Sequence, residues 1–164
     1  MKSYHILDCD NQQKIADSLY GYYIGITANR KPKSFWNTLS RKEIQDYFLI
    51  PNNPCKKWFD SLELKVRDMS FTFRTEEITV GIHKDDPPVI AKINFPVLNT
   101  EDTYNVWFDD SGNEIDRVEC NRPVVLRSNI LHTVEIGKNA QYPRLQFSFC
   151  FYNEPLLLSK LDTQ

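Results

Sequence analysis

Arg144-Leu145-Gln146-Phe147-Ser148-Phe149-Cys150-Phe151-Tyr152 alternates large apolar with partly polar side chains. Side chains on a β-strand point to opposite faces in turn. Read as a strand, the stretch puts Leu145, Phe147, Phe149 and Phe151 on one face and Arg144, Gln146, Ser148, Cys150 and Tyr152 on the other. The phenylalanine row needs an apolar cover. The other face, carrying a full positive charge at Arg144, then points into the interior of a β-structure. That makes the interior a site and not just a core.

Working back from this strand, the same character holds to about residue 64. Short β-branched and aromatic segments, predicted as strands over 64–74, 78–83, 89–97, 104–108, 114–120, 124–127, 133–136 and 145–152, are separated by turn residues. The turns contain Pro87-Pro88, Asn99-Thr100, Ser111-Gly112-Asn113 and Gly137-Lys138-Asn139. Many short strands at regular spacing read as a sandwich or jelly-roll barrel. Before residue 64 the periodicity is helical. Ile15, Leu19, Tyr22, Tyr23 and Ile26 follow a capping Asp10, with Gly21 and Gly25 weakening the helix end. Ser40 and Glu43 form a capping-box pattern ahead of Ile44, Tyr47 and Phe48, and Pro51 and Pro54 end that helix. Trp58, Phe59 and Leu62 suggest a further short amphipathic turn. The expectation is one mainly β domain over 1–164, with a helical support over about 1–63 packed on one sheet of a barrel over about 64–155.

Bulk properties bound the function. A chain of 164 residues with 41% hydrophobic and 13% aromatic content is long and apolar enough to fold around a core. Its formal charge of −2 gives no global pull toward nucleic acid or an anionic membrane. Arg30, Lys31, Lys33, Arg41 and Lys42 make the first third locally basic, which reads first as a solvated surface. No apolar run reaches the ~18–20 residues of a membrane span, and residues 1–10 lack a signal-peptide core, so a cytoplasmic location is expected. Cys9, Cys55, Cys120 and Cys150 are scattered, with no zinc spacing, and read as free thiols in a reducing compartment.

Only three histidines are present: His5, His83 and His132. His83 and Asp85 are two residues apart, so on a strand they share a face and can reach one ion. His132 is the one remaining histidine of the β-region and lies 47 residues after Asp85, room enough for the chain to cross a barrel and return. Two histidines and a carboxylate on one face of an octahedral ion leave three positions open, an arrangement that suits non-haem Fe(II). The plainer readings are a solvated His83-Lys84-Asp85 loop beside two prolines and a hydrogen-bonded core His132. Asp86 would point to the other strand face, which favours Asp85. Arg144 lies 12 residues after His132 on the polar face of the last strand, and a buried arginine needs an anionic partner.

The order His83-x-Asp85, His132, Arg144 resembles the signature of the Fe(II)- and 2-oxoglutarate-dependent dioxygenases. The segments Ile93-Asn94-Phe95-Pro96-Val97 and Val106-Trp107-Phe108 resemble small phage-like and bacterial members near the aspartyl/asparaginyl hydroxylase branch. That branch often lacks the iron-binding carboxylate, whereas Asp85 is present, which weakens any transfer of its substrates. The resemblance implies a double-stranded β-helix with iron held by His83, Asp85 and His132. It further implies that Arg144 grips the distal carboxylate of 2-oxoglutarate, with Asn94 as a second contact; Ser148, on the face of Arg144, reads equally as an assisting contact or a structural hydroxyl, and Lys92 on the Asn94 strand is the next candidate for the carboxylate should Arg144 not hold it. Trp107 reads as core packing ahead of pocket wall. The implied reaction consumes O2 and 2-oxoglutarate, releases succinate and CO2, and hydroxylates an unidentified protein side chain or small molecule. The gap from His132 to Arg144 is slightly longer than usual in the family, so the turn at Gly137 must absorb the excess. Two other classes stay open: a metal-binding cupin enzyme that does not use 2-oxoglutarate, and a non-catalytic jelly-roll binding module.

Overall fold

The computed structural model describes residues 2–29, 31–32 and 35–162, without the side chains of residues 155–157 and 160. Its elements run β1 (Tyr4–Ile6), α1 (Gln12–Asn29), β2 (Trp36–Thr38), α2 (Arg41–Phe48), α3 (Pro54–Ser61), β3 (Val66–Arg74), β4 (Ala91–Leu98), β5 (Thr103–Phe108), β6 (Glu114–Glu119), β7 (Val124–Arg127), β8 (His132–Ile136), β9 (Arg144–Phe151) and α4 (Pro155–Asp162). A six-stranded sheet, ordered β1-β7-β4-β9-β3-β2, faces a three-stranded sheet ordered β6-β5-β8. Every pairing is antiparallel. This mainly β arrangement is a double-stranded β-helix, with the N-terminal helices packed on one sheet.

Alternation in β9 sets the layering. Leu145, Phe147, Phe149 and Phe151 are all fully buried toward the helices. Phe59 of α3 meets Phe149 and Phe151 edge-on, with ring centroids at 4.8 and 5.2 Å. Trp58 meets Phe95 of β4 at 5.5 Å, and Tyr23 of α1 lies against Phe71 and Phe73 of β3 at 5.3 and 5.0 Å. Each such ring removed from water contributes about 1.5–3 kcal/mol, so the large sheet and its helices form one core. A smaller cluster of Trp107, Val118, Val124 and Leu126 joins the two sheets.

Local signals explain the helices. Ser40 accepts from the Glu43 backbone and Glu43 answers to the Ser40 N–H, completing the capping box of α2. Asn53 caps α3, with Pro54 in its first turn, so Pro54 starts a helix after Pro51 has ended one. Helix α1 runs on through Gly21 and Gly25 because Ile15, Ala16, Leu19 and Tyr23 bury one side of it. Arg30 and Lys33 lie outside the described residues, whereas Lys31, Arg41 and Lys42 are exposed, and Lys42 pairs with Asp46. All four cysteines are free. Among the described residues no helix is long and apolar enough to cross a membrane.

One predicted strand is absent. Residues 78–83 form no strand; His83 alone bridges to β8. The Thr133 hydroxyl donates to the Val80 carbonyl, so a side chain replaces the ladder there. Beyond His83, Pro87 and Pro88 supply no N–H donors, and β4 begins only at Ala91. Strands β1 and β2, three residues each, and helix α4 carry too little periodicity to be read from sequence.

Candidate metal centre

The isolated bridge builds the site. His83 N–H donates to the His132 carbonyl at 3.0 Å and His132 N–H to the His83 carbonyl at 2.8 Å, which holds the two imidazoles 4.5 Å apart. Asp85 follows, its N–H fixed on the Ser128 carbonyl at 2.8 Å. His83 Nδ1 lies 2.8 Å from the Gly81 carbonyl, and His132 Nδ1 lies 2.8 Å from that of Ile130. A carbonyl only accepts, so each Nδ1 carries a proton, and in the neutral ring Nε2 keeps its lone pair. Both lone-pair nitrogens face Asp85 Oδ1, at 3.7 Å from His83 and 3.9 Å from His132. Those separations are too long for hydrogen bonds. One ligand atom from each of the three residues lies within 4.8 Å of the other two.

The protonation states suit a cation. Burial pushes His132 down to about 4, so its imidazole is neutral at physiological pH. Burial works to raise the Asp85 carboxyl but is outweighed by the Lys92 ammonium, its hydrogen bond and His132, which together hold it below the usual carboxylate range. Lys92 Nζ donates to Asp85 Oδ2 at 2.6 Å and leaves Oδ1 toward the histidines. Two imidazoles with tied Nδ1 atoms and one oriented carboxylate fit a divalent ion that takes nitrogen and oxygen ligands. The site grades from exposed His83 to buried His132, so it opens at one side. Asp86 is exposed and outside the cluster.

The remaining sequence candidates divide. Arg144 is 2% exposed, and among the described residues its Nε and Nη2 have no hydrogen-bond partner. Asn94 and Ser148 are register partners on β4 and β9, and the Ser148 hydroxyl donates to Asn94 Oδ1 at 2.7 Å. Trp107 belongs to the core: it is fully buried, stacks on Tyr4 at 5.5 Å and donates to the Arg127 carbonyl at 2.9 Å. Lys92, held in reserve for a ligand carboxylate, is engaged by Asp85 instead. Its position two residues before Asn94, on the same strand face, is the signal that places it in the lumen. Arg74, directly opposite Arg144 in the β3–β9 register, was not singled out by the sequence. At a strand end a charged residue reads as solvated.

No protein-family model matches the chain, and no curated protein matches it in sequence. Solved structures do share its fold. A prolyl-4-hydroxylase of Pseudomonas putida superposes with a TM-score of 0.57 at 13% identity, covering 91% of each chain. AviO1 from Streptomyces viridochromogenes Tue57 gives 0.51 at 10% identity over 90% of this chain and 89% of that one. A truncated form of the viral collagen prolyl hydroxylase vCPH from Paramecium Bursaria Chlorella virus-1 gives 0.50 at 11% identity over 92% and 90%. At such identities the likeness is one of fold.

Proposed function

We propose that the protein is a non-haem Fe(II)- and 2-oxoglutarate-dependent dioxygenase, an oxidoreductase that hydroxylates an unidentified substrate. The convergence of His83 Nε2, His132 Nε2 and Asp85 Oδ1 carries this reading. Such a three-ligand set leaves adjacent coordination positions for a chelating co-substrate and O2. Bound iron would supply the oxidising chemistry that no side chain here provides. The chain's own residues do the rest. The Gly81 and Ile130 carbonyls fix the imidazole tautomers, and Lys92 aims Asp85. Arg144 offers unpaired donors to a carboxylate in a site shielded from water. Hydroxylases among the structures that share this fold favour hydroxylation as the outcome.

A cupin enzyme without 2-oxoglutarate would use the same triad but would have no need of Arg144, and a binding module would need neither. The test is metal binding followed by turnover. The protein should bind one equivalent of Mn(II) per chain as an inert stand-in, and Asp85→Ala and His132→Ala should lose it. With Fe(II), candidate peptides, amino acids and nucleic acids would be screened for succinate formed from 2-oxoglutarate. Metal affinity unchanged in both folded variants defeats the assignment.

A further inference from the structure

Arg74 ends β3 and Arg144 begins β9, directly opposite each other in antiparallel register. Such partners project to one face, with Cβ atoms roughly 4.5–5.5 Å apart, and like charges there destabilise the pair. Both side chains are nevertheless buried, at 3% and 2% exposure. Among the described residues no carboxylate lies within ion-pair distance of either, although the chain has 22 acidic residues. Among the described residues Arg74 Nε, Arg144 Nε and Arg144 Nη2 have no hydrogen-bond partner. Arg74 Nη1 donates to the Ile78 carbonyl at 3.3 Å, and its guanidinium lies over the face of Phe35, 5.3 Å from the ring centre. Burial first, then Arg144, brings Arg74 down to about 10, which still leaves it charged at neutral pH. The neighbouring Cys120, pushed up to about 11 by burial, stays a neutral thiol and neutralises neither.

Glu101 acts on Arg144 only from beyond ion-pair distance, and two buried cations with no ion-paired carboxylate are costly unless an anion joins them. The pair also connects to the metal centre. On β5, Trp107 lies opposite His132, and Asn105 precedes it by two residues on the same face, roughly 7 Å along the strand. Asn105 Nδ2 donates to Cys120 Sγ at 3.4 Å, and Cys120 lies beside Arg144. We infer that Arg74 and Arg144 form a two-guanidinium clamp for one carboxylate, which makes Arg74 a second ligand-binding residue and selects ligands with a carboxylate distal to the metal. That the ligand is a 2-oxo dicarboxylate rests on the function proposed above; the clamp itself does not.

The test uses the metal-free protein and its unfolding temperature, with glutarate as probe and neutral glutaramide and inorganic phosphate as comparisons. Binding to the folded state alone raises the transition with ligand concentration. Glutarate should raise it and glutaramide should not. Arg74→Met should melt higher than wild type without anion, because a buried unpaired charge is gone, and should bind glutarate at least tenfold more weakly. Arg74→Lys, which keeps the charge but not the fork, should retain part of the response. A purely structural Arg74 would give the reverse: a lower anion-free transition in Arg74→Met with the glutarate response intact, and that result overturns the clamp. Should Arg74→Met fail to fold, Arg74→Gln gives the same comparison. Stronger stabilisation by phosphate than by equal glutarate would overturn the carboxylate assignment. A glutarate response lost in Arg74→Met, in a protein that turns over no 2-oxoglutarate with iron, would defeat the proposed function and leave the clamp standing.

Discussion

Lys92 decides which oxygen of Asp85 is available. Its ammonium occupies Oδ2 at 2.6 Å, so Oδ1 alone faces the two imidazoles. Removing a group that orients a metal ligand typically costs about 10–100-fold in metal affinity. Lys92→Met should therefore weaken Mn(II) binding by that factor without unfolding the protein, as titration calorimetry with a circular-dichroism control would show. Unchanged affinity would mean that Asp85 needs no such partner. The convergence of His83, Asp85 and His132 was legible from their spacing taken together with the family resemblance, and the burial of Arg144 from its place in an alternating strand. Arg74 was not legible, because its burial depends on pairing with Arg144 across 70 residues of sequence.

Among the elements, the connection from β8 to β9 has the least tolerance. It must carry the chain from His132 to Arg144, and it turns at Gly137. That residue donates to the Asp102 carbonyl at 2.8 Å, while the Asp102 carboxylate accepts from Asn139 N–H at 2.8 Å. A Cβ at Gly137 would lie 2.1 Å from Asp102 Oδ1. Gly137→Ala should expel that carboxylate and cost about 1–3 kcal/mol, read as a lower denaturant midpoint. An unchanged midpoint would show that the turn has room. Phe59 in α3 meets two rings of the β9 row, so Phe59→Ala should cost about 3–5 kcal/mol in the same measurement. The capping box of α2 and the alternation of β9 were readable because each is a local rule satisfied by its own residues. Residues 78–83 were misread for the converse reason. Their alternation matches a strand, but the Thr133 hydroxyl and the prolines beyond His83 leave a single bridge. The shared reach of His83 and Asp85 therefore comes from that bridge and the Ser128 contact, not from a continuous strand.

For the molecule as a whole, the helices cover the large sheet and free the opposite face of β9 to line the lumen. Removing residues 1–60 would delete Phe59 and Tyr23 and expose the Phe147, Phe149 and Phe151 row, an apolar patch that should make the truncated chain aggregate. A soluble truncation that unfolds cooperatively would contradict the layering. In the proposed function this lumen joins a metal centre to a carboxylate site. The most direct test of that function is the metal-to-ligand charge-transfer absorbance of the anaerobic Fe(II) protein titrated with 2-oxoglutarate. Wild type should develop the band. Arg144→Ala should bind the metal equally well yet require roughly thirty- to several-thousand-fold more 2-oxoglutarate, the equivalent of about 2–5 kcal/mol, with Arg144→Lys in between. No band in wild type, or an Arg144→Ala titration superimposable on that of wild type, would contradict that function.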